Sequence, residues 1–108
     1  MDERDRQRVA DMIDAADEIV RVVADGEEAV QLDRVRQLAV ERLLEIVGEA
    51  ARAMTEAGRA SYPEIPWSDI VGLRTLLAHH YQRVDPAQVW VIATRNVPEL
   101  VQALRDDR

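Results

Sequence analysis

The side chains best suited to chemistry lie together in the stretch GLRTLLAHHY, residues 72–81. It carries both histidines of the chain, His79 and His80, with Arg74 five residues before the first and Tyr81 directly after the second. An imidazole with a pKa of about 6.5 can take or give a proton at neutral pH. A guanidinium can grip a phosphate through two parallel hydrogen bonds and stabilise the charge that develops on it. For a ribose-linked strand these groups suffice without a metal, because the 2′-hydroxyl is a built-in nucleophile. Full acid–base catalysis also needs a base on one side of the scissile bond and an acid on the other.

A helix must position these groups, and each residue along it turns by about 100°. With Ile70 as origin, Leu73, Leu76, Leu77 and His80 fall beside it, between roughly 240° and 360°. That is the core side, and a core histidine bonded to a carbonyl or side chain is the plain reading of His80. Arg74, Ala78, Thr75 and His79 fall at about 40°, 80°, 140° and 180°, on a contiguous face pointing away from the core. Tyr81 lies near 20°, almost above Arg74. For His79 the geometry leaves two readings open: a proton-transfer group, or an exposed or interface histidine without chemistry. Two adjacent histidines diverge by about 100° and cannot chelate one ion, and the chain has no third, so neither metal nor cofactor is expected. One copy offers a single outward histidine. A two-fold dimer would bring two histidines and two arginines to one cleft, concentrating positive charge in an acidic protein.

The elements around this helix follow from periodicity. Residues 3–24 predict a first helix with a stripe of Val9, Met12, Ile13, Ala16, Ile19, Val20 and Val23. Asp25-Gly26 should stop it, and 26–32 reads as a polar connection. A second helix is predicted from an Asp33 N-cap to about Ala57. Its main stripe is Val35, Leu38, Ala39, Leu43, Ile46, Val47, Ala50 and Met54, with Val40 and Leu44 outside it. So wide a stripe suggests burial on two sides, against the bundle and against a partner. Gly48, in its middle, reads as a site of close helix packing. Gly58 should cap this helix, and Pro63 and Pro66 disfavour helix before them. Trp67 should plug the end of the core, and Ser68 or Asp69 should cap a third helix running from about Asp69 to Gln82. A fourth helix starts with Asp85 as N-cap and Pro86 at its first position. Its apolar face is Val89, Trp90, Ile92, Ala93, Val97, Leu100, Val101 and Leu104, and Pro98 should kink or break it. The prediction is an all-α, antiparallel four-helix bundle forming one domain over residues 1–108.

Composition narrows the function classes. The formal charge is −7, which argues against a nonspecific nucleic-acid binder but leaves room for a small local basic cleft. Every basic residue except histidine is arginine, and phenylalanine is absent, so the core rests on aliphatic side chains. Without cysteine there is neither a disulfide nor a thiolate metal site, and a cytoplasmic location is the default. The charged start MDERDRQR lacks an apolar signal region, and no apolar run approaches the roughly 18 residues that would span a bilayer.

Arg74, four residues, His79, one residue and Tyr81 form an R-x4-H-x-Y pattern that resembles the HepT-like toxins of the HEPN superfamily. AVERLLEIVGEAAR (39–52), YPEIPWSDIVGLRTLLAHHY (62–81) and VDPAQVWVIATRNVPEL (84–100) extend the likeness over nearly the whole chain. The resemblance implies a helical homodimer with Arg74 and His79 as catalytic residues in a cleft between subunits. It implies metal-independent cleavage of RNA that inhibits growth. It further implies an antitoxin, a minimal nucleotidyltransferase, that silences the toxin by adding AMP to Tyr81. Thr75 departs from the family pattern, where an amide or acid most often follows the motif arginine, so substrate positioning should differ. Glu49 of the Gly-Glu-Ala segment is read either as orienting an arginine across the interface or as an ordinary surface salt bridge. The alternative to an enzyme is a non-catalytic HEPN module that binds a nucleotide or the nucleotidyltransferase. A plain dimerisation domain is a third reading.

Overall fold

The computed structural model describes residues 1–79 and 85–106, with the side chains of residues 78 and 79 outside that description. Among the described residues, the regular structure is entirely helical. Its elements are α1 (Glu3–Val22), α2 (Glu27–Gln31), α3 (Arg34–Ala53), α4 (Glu56–Ala60), α5 (Trp67–His79), α6 (Pro86–Val91) and α7 (Val97–Arg105). A π-helical turn, Ile92–Asn96, joins the last two. The helix α3 packs along both α1 and α5, and α1 also packs against α7.

Local chemistry explains most boundaries. Asp2 caps α1 by accepting from the Asp5 N–H at 2.8 Å. Asp33 caps α3 as expected, accepting from the N–H groups of Val35 and Arg36 at 2.9 and 3.3 Å. Asp85 caps α6 through the Ala87 N–H at 3.0 Å, with Pro86 at the first helical position. Four boundaries differ from the prediction. The first helix ends at Val22, and Gly26, with a φ of 99°, opens the short α2 where a polar connection was expected. Val30 of α2 is buried, which gives that turn an anchor. The second helix stops at Ala53, not Ala57. The third begins at Trp67, ahead of Ser68 and Asp69, with the Pro66 carbonyl accepting from the Asp69 and Ile70 N–H groups. Its predicted end, to Gln82, lies outside the described residues.

The early stop of α3 has a specific cause. Thr55 caps α4, its hydroxyl accepting from the Gly58 N–H at 3.0 Å. The same residue donates to Asp5, from its N–H to Oδ1 at 2.9 Å and from its hydroxyl to Oδ2 at 2.5 Å. Asp5 is 2% exposed, yet these two bonds, the hydroxyl foremost, hold its carboxyl below the ordinary carboxylate value against the opposing push of burial. Gly58 therefore does not cap α3. It sits within α4, where a Cβ would lie 2.5 Å from Asp5 Cγ. The start of α1 is thus tied to the turn after α3.

The buried core is almost wholly aliphatic. Met12, Ile19, Val40, Leu44 and Val47 are fully enclosed, and each such side chain contributes about 1.5–3 kcal/mol of apolar burial. The later part of the predicted α3 stripe holds, with Val47, Ala50 and Met54 buried, but its start does not: Val40 and Leu44, placed outside it, are buried, whereas Val35 is 75% and Leu38 49% exposed. The inward line is Val40, Leu44, Val47 and Ala51, at spacings of three and four, because α1 and α5 both close on that side. Val20 of α1 is likewise exposed. Trp67 closes the end of the core as expected. Its indole N–H donates to the Arg59 carbonyl at 2.9 Å, and its ring meets the buried Tyr62 edge-on at 6.4 Å.

Pro98 acts one turn earlier than its own position. A proline lacks the N–H and crowds the carbonyl four residues back, here Thr94. The chain answers with the π-helical turn, in which the Val97 N–H reaches the Ile92 carbonyl. Helical structure therefore continues through this segment, and Ala93, Val97, Leu100 and Leu104 all remain buried. Among the described residues, no helix is long and apolar enough to cross a membrane.

Candidate active site

Arg74 lies on the exposed side of α5, and its position is set by the contact of α5 with α3. The two helices approach closely at Gly48, where a Cβ would stand 3.0 Å from the Arg74 backbone nitrogen and 3.1 Å from the Ile70 carbonyl oxygen. The prediction that Gly48 marks close helix packing is borne out. Ile70 and Leu77 point inward and are buried, Leu73 and Leu76 are half-buried, and Arg74 and Thr75 are exposed. The two-faced reading of this helix therefore holds over residues 70–77.

Beside Gly48, Glu49 pairs with Arg74 through its Oε2 and the arginine Nε. The second carboxylate oxygen faces Arg52 Nη1 at 3.7 Å. The Glu49–Arg74 pair is made within one chain. Both side chains are about half exposed, at 55% and 46%. The pair borders an open groove of about 1110 Å³ between α1 and α3. Asp11, Asp14, Asp17, Glu18, Glu45 and Glu49 line it, against Arg8, Arg21, Arg42 and Arg74. Salt bridges such as Arg8–Asp11 at 3.1 Å and Arg42–Glu45 at 3.6 Å already occupy several of these cations. Among the described residues, Arg74 thus stands at the edge of a mainly acidic wall.

His79 belongs to α5, one turn and a half beyond Arg74. Its side chain is not described, and His80 and Tyr81 lie outside the described residues. Among the described residues, no group of three or more His, Asp or Glu side chains could hold a metal ion. The geometry therefore brings Arg74 and Glu49 together, while Thr75 is exposed next to Arg74 on α5 and His79 belongs to the same helix.

A family described as Ribonuclease HepT-like matches residues 12–106. The chain belongs to the HepT-like ribonuclease family. Relatives cover most of its length. "Putative RNase MJ1380" of Methanocaldococcus jannaschii is 34% identical over 83% of this chain and 84% of its own. "Probable ribonuclease HepT" of Thermococcus cleftensis is 33% identical over 85% of this chain and 82% of its own. "Putative RNase TTE0752" of Caldanaerobacter subterraneus is 32% identical over 68% of this chain and 66% of its own. No solved structure matches the chain.

Within this HepT-like chain, sequence reasoning missed the fastening of the frame: Asp5 with Thr55, and Gly58 against them. The Thr55-x-x-Gly58 spacing was the local signal for a capped turn. Nothing in the sequence names its distant acceptor, fifty residues earlier.

Proposed function

We propose that this HepT-like protein is a metal-independent endoribonuclease, the toxin of a toxin–antitoxin pair. The observation that carries the reading is the exposed Arg74, fixed by Gly48 and Glu49 on the face of α5 whose helical spacing also includes His79. Family membership supports RNA as the substrate. Arg74 binds the scissile phosphate and stabilises its developing charge, and His79 moves the proton to or from the reacting oxygens. Thr75 and Glu49 support them.

The reading takes the chain as a single domain, an antiparallel four-helix bundle, that works as a homodimer. The acidic groove supports the dimer, because the described residues of one copy surround Arg74 mainly with carboxylates, and a second Arg74 would add to the cationic charge facing a polyanion. A two-fold arrangement sets two Arg74–His79 faces across one cleft. The exposed Leu32, Val35 and Leu38 supply apolar surface for association. Silencing follows from AMP added to Tyr81 by a minimal nucleotidyltransferase partner, since phosphate introduced near Arg74 would neutralise it. The protein acts in the cytoplasm. In a non-catalytic binding module, by contrast, His79 would be dispensable. Expression of the wild type is expected to arrest growth and His79→Ala to restore it; growth arrest by a folded His79→Ala protein would remove the catalytic reading.

A further inference from the structure

We propose that Glu49 is a positioning residue that aims Arg74 from within the same protomer, clamping the guanidinium by its Nε edge and leaving both terminal nitrogens for a phosphate. This inference rests on the ribonuclease reading and adds how its cation is oriented. A guanidinium is rigid and planar, so a carboxylate paired with it at Nε restrains the plane by charge contact and leaves the Nη1–Nη2 end, which matches two phosphate oxygens. The ion pair runs from Glu49 Oε2 to Arg74 Nε, and among the described residues no other hydrogen bond or ion pair engages that guanidinium.

Three features make the clamp directional. Gly48 brings α3 within contact of the Arg74 backbone, so the two side chains leave their helices from a fixed separation. The other Glu49 oxygen faces Arg52 at 3.7 Å, so the carboxylate is itself held between two cations. The groove beyond contains Glu45 and the α1 carboxylates, which would attract a released arginine away from the α5 face. Because both partners are about half exposed, the pair adds little to folding. Its removal therefore tests orientation and not stability.

The experiment compares the full-length wild type with Glu49→Gln on a short single-stranded RNA, alongside the Arg Nε–H signals of the free proteins in ¹⁵N-resolved NMR. Glu49→Gln is expected to keep its melting temperature and lose on the order of 10- to 100-fold in kcat. KM should not rise, since one negative charge is gone. The Arg74 Nε–H signal, assigned by its loss in Arg74→Ala, should move to the position of freely solvated arginines. Unchanged kcat with lower KM would make Glu49 only a repeller of substrate and overturn the proposal, as would an unmoved Nε–H signal. A wild type that cleaves no RNA would instead overturn the ribonuclease reading, and the NMR signal would still decide the clamp. Glu49→Gln that fails to fold would overturn the claim that the pair is not structural.

Discussion

Gly48→Ala tests the link between helix packing and the candidate site. The new Cβ would lie 3.0 Å from the Arg74 nitrogen, 3.1 Å from the Ile70 oxygen and 3.4 Å from Arg74 Cβ. The two tightest neighbours are backbone atoms of α5, which cannot rotate aside as a side chain can. Ordinary contact at 3.4 Å requires the helices to part by about 0.4 Å at this point. Two terms of opposite sign then compete. Replacing glycine by alanine inside a helix gains about 1 kcal/mol, whereas overpacking a tight contact costs about 1–3 kcal/mol. The balance is a net loss of about 0–2 kcal/mol. At roughly 4–8 °C per kcal/mol for a domain of about this size, Tm should stay level or fall, by roughly 16 °C at the very most. Activity should suffer more, because the displaced residue is Arg74 itself, and a 1 Å error in placement can cost on the order of 100-fold. A loss of about ten-fold in kcat/KM is therefore expected at temperatures below the unfolding transition, which circular dichroism locates. A variant that melts several degrees higher and cleaves at the wild-type rate would refute the argument, because it would show that the α3–α5 distance has slack and does not position Arg74.

The Asp5 cluster gives the remaining predictions. Asp5→Asn should destabilise the fold by about 1.5–3 kcal/mol at neutral pH, the range for hydrogen bonds to a charged group. Since the native carboxyl lies below the ordinary value of 3.8, its stabilisation is present above that value and is lost as pH falls through the native one. Denaturant titrations should therefore converge for wild type and variant as pH drops below about 4, and a constant difference down to pH 2 would contradict the assignment. Gly58→Ala, which puts a methyl against the same buried carboxylate, should also destabilise despite the better helix propensity of alanine. Added stability in urea unfolding would show that Asp5 can move.

Periodicity and capping chemistry made the main helices legible. Asp33 and Asp85-Pro86 marked their starts because an acidic cap and a proline at the first turn act locally. The first half of the α3 stripe was misjudged for a non-local reason, while Val47, Ala50 and Met54 are buried as expected. Leucine and valine occur nearly all around that helix, and only the approach of α1 and α5 decides that Val40 and Leu44 face inward while Val35 and Leu38 do not. The break at Met54–Thr55 was hidden for a similar reason. Thr55 terminates one helix and starts another because Asp5, fifty positions away, accepts both of its donors. At the candidate site, the outward placement of Arg74 and Thr75 followed from helical geometry alone, and the tight packing at Gly48 from residue type. Which arginine Glu49 would meet required the fold, since pairing between helices depends on their register. Pro98 was legible as a disturbance, but its accommodation as a π-helical turn depends on how Ala93 and Val97 are held in the core.

The central claim is that Arg74 and His79 cleave RNA without a metal. The most direct measurement incubates purified wild type, Arg74→Ala and His79→Ala with RNA in excess EDTA and follows new ends on a denaturing gel. The account predicts cleavage by the wild type that EDTA leaves intact, and its loss in both folded variants. Cleavage that stops in EDTA and returns with an added divalent cation, or that persists in either variant, would contradict it.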